Sequence, residues 1–290
     1  MNEAGHHSKK ARMELIVSMI VFGTIGIFVR GIPLPSGELA LYRAVLAALL
    51  ILGYFLISRT RIDISSLKRE LIILLASGAA MGINWILLFE AYRYTTVSAA
   101  TLSYYFAPVI VTVLCPVLFH EKLTKKQGLC FVMSTAGVVM IIGVHNLGGG
   151  GRDLIGILFG LGAAVFYASV ILLNKLIKGV SGIQRTFLQF LAAIAVLIPY
   201  VACTGGFHLT GLSGAGWGNL LIVGLFHTGI TYCMYFSSLK ELRGQEAAIL
   251  SYIDPMVAVL SSVLVLGESI TGFQVIGGML IIGFAVWNEI

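Results

Sequence analysis

Ten runs of roughly 20 mostly apolar residues follow one another with almost no polar sequence between them. An α-helix needs about that length to cross the hydrocarbon core of a bilayer. The runs fall at Met13–Val29, Gly37–Ile57, Leu71–Ala91, Val97–Phe119, Thr124–Gly143, Leu154–Leu176, Gly182–Cys203, Gly216–Leu239, Ala247–Leu266 and Thr271–Trp287. Open strands leave backbone groups unpaired in lipid, and the alternating polarity of a closed barrel is absent. The expected fold is therefore an all-α integral membrane protein of ten transmembrane helices, with no separate soluble domain. Composition agrees. Only 11% of residues are charged and 58% are hydrophobic, whereas soluble domains carry about 25% charged residues. Mean hydropathy is +0.96. The 34 glycines suit close helix crossings, Gly78-x-x-x-Gly82 and Gly156-x-x-x-Gly160 above all.

The formal net charge of +6 raises the question of nucleic acid. The basic residues sit in short clusters between apolar runs, not along a stripe with aromatics, which argues against that partner. They sort by side of the membrane instead. With the N-terminus in the cytoplasm, fifteen basic residues fall inside, from Lys9, Lys10 and Arg12 through Lys122, Lys125 and Lys126 to Lys240 and Arg243. Only Arg30, Arg93 and Arg152 fall outside, and Arg43 lies within a run. This asymmetry predicts a multi-pass protein of the cytoplasmic membrane with both termini cytoplasmic. The first apolar run is too long for a signal peptide and lacks a small-x-small cleavage site before Pro33, so it reads as a retained helix. His6 and His7 read as interfacial residues. Cys115, Cys130, Cys203 and Cys233 have no C-x-x-C spacing and read as packed thiols.

A shift of 147 residues aligns the chain with itself. Phe89 lands on Phe236, Ala100 on Ala247, Tyr105 on Tyr252 and Pro108 on Pro255, followed by Glu121 on Glu268, Thr124 on Thr271 and Gln127 on Gln274. Tyr-x-x-Pro and Glu-x-x-Thr-x-x-Gln thus recur in the same order and spacing. Two five-helix repeats are expected, residues 1–147 and 148–290, parted near Gly148–Gly151. With five helices each, the second must be inverted relative to the first. Inverted repeats mark transporters, with the solute site at their interface.

The stretch Tyr104 to Glu121 with Leu123-Thr124, and the stretches Tyr252-Ile253-Asp254-Pro255 and Leu266-Gly267-Glu268, resemble the EamA-type transporters of the drug/metabolite transporter superfamily. The resemblance covers nearly the whole chain, and Arg43 matches a common position of that family. His120 stands where the family's first turn often has Gly. The resemblance implies a ten-helix bundle with a central cavity, often exporting amino acids or other metabolites.

Ionisable side chains within apolar runs are costly and point to function. Arg43 reads either as the partner of a solute carboxylate or as a structural side chain that snorkels outward or holds Glu38. Asp254 reads as a partner for a solute amine, as a proton-coupling carboxylate, or as a helix-to-helix hydrogen-bonding group. Glu90, three residues before Arg93, reads as a same-helix ion pair or a second proton-coupling group. Asn84, Trp85, Tyr105, Tyr235 and Tyr252 are expected to line the solute path, with Tyr104, Tyr167 and Tyr232 adding ring surface. Pro108 and Pro255 each remove a backbone donor near mid-helix, so helices 4 and 9 are expected to kink there as hinges. Glu121 with Thr124, and Glu268 with Thr271, are expected to order turns at helix ends.

No P-loop, metal triad or nucleophile elbow is present, and no cofactor is expected. The leading function is secondary transport of a small metabolite, an amino acid or related amphiphile, by alternating access and in the export direction. The alternative is an intramembrane enzyme acting on a lipid or isoprenoid, which needs clustered carboxylates or histidines at a membrane face. Asp254 has no carboxylate neighbour in sequence, so no enzymatic activity is expected.

Overall fold

Large apolar side chains cover the outside of the molecule, and small or polar ones fill much of its interior. Ile57, Ile72 and Leu264 are 87%, 83% and 79% exposed, whereas Ser18, Ser77, Thr228 and Ser238 are wholly buried. Such a surface is stable against lipid and not against water. The computed structural model describes residues 2–59, 64–118, 124–142, 151–177, 180, 182–241, 250–251 and 253–289. Among these no strand occurs. The chain is an all-helical membrane protein of two inverted five-helix repeats.

The first span is divided into α1 (Asn2–Gly23) and α2 (Ile25–Arg30). The second span is α3 (Ser36–Ser58) and the third α4 (Ile64–Tyr94). The fourth is α5 (Val97–Tyr104) and α6 (Ala107–Leu118), and the fifth α7 (Lys125–Ile142). The second repeat opens with α8 (Arg152–Leu176) and α9 (Gly182–Thr204). Its third span joins α10 (Gly214–Leu221), a π-helical stretch (Ile222–Ile230) and α11 (Thr231–Glu241). It closes with α12 (Ile253–Leu266) and α13 (Gly272–Glu289). Among the described residues, five helices are long and apolar enough to cross a bilayer: Lys9–Arg30, Ser36–Ser58, Glu70–Tyr94, Arg152–Asn174 and Gly182–Thr204.

Three departures from uninterrupted helices set up the site. The fourth span, expected as one helix over Val97–Phe119, is interrupted ahead of Pro108. It stops at Tyr105–Phe106 and restarts at Ala107, which puts Pro108 in a first turn, where no backbone donor is needed. Span 1 breaks at Thr24, beside the point where α12 crosses. A Cβ on Gly23 would lie 2.6 Å from the Asp254 carbonyl oxygen and 2.7 Å from Val257 Cβ. The π-helical stretch has no counterpart in the expected plain helix over Gly216–Leu239, because polarity patterns carry no signal for it. Tyr252 lies outside the described residues, as do Glu121 and Gly148–Gly150.

Small residues set the crossings. A Cβ on Gly78 of α4 would lie 2.5 Å from both Ala192 Cβ and the Gln189 carbonyl oxygen of α9. On Gly156 and Gly160 of α8 it would meet Thr95, and then Ala100 and Ser103 of α5, at 2.6–3.0 Å. The repeat mates α7 and α13 pack together, with Gly137 against Gly277. The cysteines divide: Cys130 is buried, but Cys203, expected to be packed, is exposed near the end of α9.

Candidate functional site

Arg43 projects from the third turn of α3 and is 2% exposed. It neither snorkels outward nor holds Glu38. Glu38 instead accepts from the His208 backbone N–H at 2.8 Å and the Tyr42 hydroxyl at 3.1 Å, with His208 Nδ1 2.5 Å from its other oxygen. The guanidinium lies over Trp85, 4.4 Å from the ring centroid, and 5.1 Å from that of Phe89. Its Nε donates to Thr228 Oγ1 at 2.9 Å, and the Tyr232 hydroxyl is a further hydrogen-bond neighbour. All these partners are neutral, and among the described residues no carboxylate lies within ion-pair distance of Arg43. Stacking on Trp85 is cation–π attraction, which helps hold the charge but does not neutralise it.

From Trp85 a series of aromatic side chains leads to Asp254. Tyr232 lies 6.4 Å from Trp85 and 5.0 Å from Phe22. Phe22 also packs edge-on to Tyr235. Tyr235 and Tyr167 are hydrogen-bond neighbours, and Tyr167 stacks on Tyr104 at 5.1 Å. Tyr104 abuts Tyr105, whose hydroxyl donates to Asp254 Oδ2. Asn84 fixes its amide on the Ala163 carbonyl at 2.7 Å and reaches the Tyr104 hydroxyl. Tyr104, Tyr167, Tyr232, Tyr235 and Asp254 each keep part of their surface accessible, whereas Trp85 and Phe190 behind them are buried. Two opposite charges, not paired with each other, thus stand at the ends of a wall of phenol rings. Among the described residues no group of three His, Cys, Asp or Glu could hold a metal.

The end of the bundle that carries Arg30 and Arg93 is tied by polar contacts. Arg93 donates to both carboxylate oxygens of Glu90 at 3.1 and 3.2 Å, and Ser36 donates to Glu90 at 2.5 Å. Glu90 is therefore engaged at the rim and does not reach the aromatic wall. Glu268, from the turn between α12 and α13, accepts from the backbone N–H groups of Val97 and Ser98 at the start of α5. It also pairs with Arg30 at 3.0 Å. Its partners lie across the repeat interface, and Ser98 and Ser262 hydrogen-bond there too. Thr271 and Gln274 form a reciprocal cap at the start of α13. At the same end, a cavity of about 520 Å3 is lined by Arg30, Pro35, Arg93 and the rings of Phe89 and Tyr92. Phe89 thus separates this cavity from Arg43.

Of the side chains expected to share a site, Arg43, Asn84, Trp85, Tyr105, Tyr235 and Asp254 are brought together, and Tyr252 is outside the described residues. Sequence reasoning passed over Phe22 and Thr228 and undervalued Tyr232. For Tyr232 a signal existed, since it stands one 147-residue shift after Trp85.

The model of the EamA-like transporter family matches residues 12–143 and again residues 154–288. The chain is 33% identical over 270 residues to the uncharacterized transporter YxxF of Bacillus subtilis (strain 168), over 91% of this chain and 83% of that one. It is 26% identical over 278 residues to an uncharacterized transporter of Archaeoglobus fulgidus, over 95% of each. A protein of known crystal structure superposes with a TM-score of 0.69 over 95% of each chain at 16% identity, a likeness of fold alone.

Proposed function

The chain belongs to the EamA-like transporter family and is a multi-pass membrane transporter, and from that premise we propose that it exports an amino acid or related amphiphile across the cytoplasmic membrane. The observation that carries this reading is Arg43, a buried cation whose partners are all neutral. A charge at that depth calls for a counter-ion, and a solute carboxylate supplies one through a charge-assisted, bidentate contact. Asp254, at the far end of the aromatic wall, is the partner for the solute's amine or for a coupling proton. The phenol rings between them suit an apolar or aromatic body.

Arg43, Asn84, Trp85, Tyr105, Tyr235, Tyr252 and Asp254 form the solute site in this reading. Glu90, bonded to Ser36 and Arg93, is the weaker candidate for proton coupling. The halves 1–147 and 148–290 rock about the site, with Tyr105-x-x-Pro108 and Tyr252-x-x-Pro255 as hinges. The Arg30 end faces out and the Lys125 end faces the cytoplasm, as the distribution of basic residues indicates.

Efflux from proteoliposomes tests the proposal, with a panel of amino acids, their amides and their decarboxylated amines, with and without an imposed proton gradient. Amino acids are expected to be carried and the amides and amines not, with Arg43→Gln abolishing the difference. Equal flux of acids and amides, or no flux of any amino acid, contradicts it.

A further inference from the structure

The π-helical stretch Ile222–Ile230 lies against the face of α3 that carries Arg43. A Cβ on Gly224 would lie 2.5 Å from Leu46 Cδ1, and one on Gly229 2.4 Å from Leu50 Cδ2. Five residues of a π-helix make little more than one turn, so these glycines share a face. In an α-helix they would stand about 140° apart. The π winding is therefore what lets both leucines of α3 approach. Side chains within it and just after it hydrogen-bond five residues back: Thr228 donates to the Val223 carbonyl at 2.7 Å, and Thr231, the first residue of α11, to that of Phe226 at 2.8 Å. With its proton committed to Val223, the Thr228 hydroxyl offers a fixed lone pair, and Arg43 Nε donates to it at 2.9 Å.

We propose that Thr228 is a positioning residue: held by the π turn, its hydroxyl fixes Arg43 at Nε and so holds the guanidinium over the Trp85 ring with its two terminal nitrogens directed away from Thr228. A solute carboxylate meets the planar edge opposite Nε already oriented, and an uncharged isostere gains nothing from this. The consequence for transport rests on Arg43 being the solute's anchor; the geometry at Nε does not.

Two measurements on the full chain in detergent test the proposal. With 15N-labelled arginine, the Nε–H resonance lost in Arg43→Lys identifies Arg43. Thr228→Val, or Thr228→Ala where the valine variant does not insert, is expected to speed hydrogen exchange of that group about tenfold, the worth of one hydrogen bond to a charged group. Thr228→Ser restores slow exchange. Thr231→Val removes the equivalent five-residue bond, to Phe226 within the π-helical stretch, and is expected to leave Arg43 unaffected. The second measurement follows Trp85 fluorescence, with Trp217 and Trp287 replaced by Phe, and uses benzoate and benzamide as probes. Thr228→Val is expected to weaken benzoate about tenfold and leave benzamide unchanged. Unaltered exchange in Thr228→Val, an equal effect of Thr231→Val, or no recovery with serine overturns the proposal. If exchange responds as expected but the parent chain binds benzoate no better than benzamide, Thr228 still positions Arg43, and it is the anchoring role of Arg43 that fails.

Discussion

A guanidinium inside an apolar bundle loses hydration that stacking only partly offsets. Arg43 has the rings of Trp85 and Phe89 against it, one hydroxyl at Nε and one phenol beside it, and in the proposed function a solute carboxylate is the missing partner. Arg43→Gln is expected to raise the half-saturating solute concentration by about 30- to 100-fold, the loss of a bidentate ionic contact. Arg43→Lys is expected to recover only part of it, because an ammonium has neither the planar fork nor the paired donors for a bidentate contact. The concentration dependence of flux measures both. Asp254→Asn retains an acceptor for the Tyr105 hydroxyl and loses the charge. It is expected to reduce flux at unchanged membrane insertion, and normal flux would assign Asp254 to packing alone. Both charges are visible in the sequence, since each is isolated in an apolar run. Thr228 is not, because one Thr among Gly, His and Ile has no pattern, and its meeting with Arg43 depends on a π turn.

Helix interruptions gather near the site. Span 1 breaks at Thr24, span 4 at Tyr105–Phe106, and the eighth span winds as a π-helix from Ile222 to Ile230. Thr24 Oγ1 and His227 Nε2, 3.0 Å apart, join two of these irregularities. Irregular backbone at membrane depth is tolerated where protein or a cavity surrounds it. The number and order of the helices are legible from the apolar runs. The interruptions are only partly so: Pro108 announces a disturbance, but whether a helix bends or restarts depends on what packs beside it. Crossings are more predictable. Gly78 faces backbone that cannot give way, whereas Gly53 has nothing within 4 Å. Gly78→Ala is expected to cost about 1–3 kcal/mol, seen as a lower unfolding midpoint in detergent. Gly53→Ala is expected to leave the midpoint unchanged or raise it. Equal effects at the two positions would mean that the α4–α9 crossing does not limit stability.

At the scale of the whole molecule, the two repeats meet along α7 and α13, around the aromatic wall, and at the Arg30 end. Glu268 of the second repeat holds the start of α5 and Arg30 of the first, so opening at that end requires these contacts to part. Glu268→Gln keeps one acceptor oxygen, turns the other into an NH2 donor that cannot accept from the start of α5, and loses the ionic attraction to Arg30. It is expected to favour the form open at the Arg30 end, seen as faster thiol labelling of a cysteine placed at Phe89. Slower or unchanged labelling would leave Glu268 as a helix cap only. The 147-residue shift and the sorting of basic residues make this architecture readable from sequence. The reach of Glu268 across the interface is not readable, because nothing in the spacing shows which helix start lies opposite its turn. The claim on which transport rests is that one site faces each side of the membrane in turn. A single cysteine in place of Tyr105, beside Asp254, tests it in oriented vesicles with impermeant thiol reagents added to one side at a time. Labelling is expected from both sides, in a ratio that shifts when a carried amino acid is added. Labelling from one side alone, unmoved by every solute the protein carries, would contradict alternating access at this site.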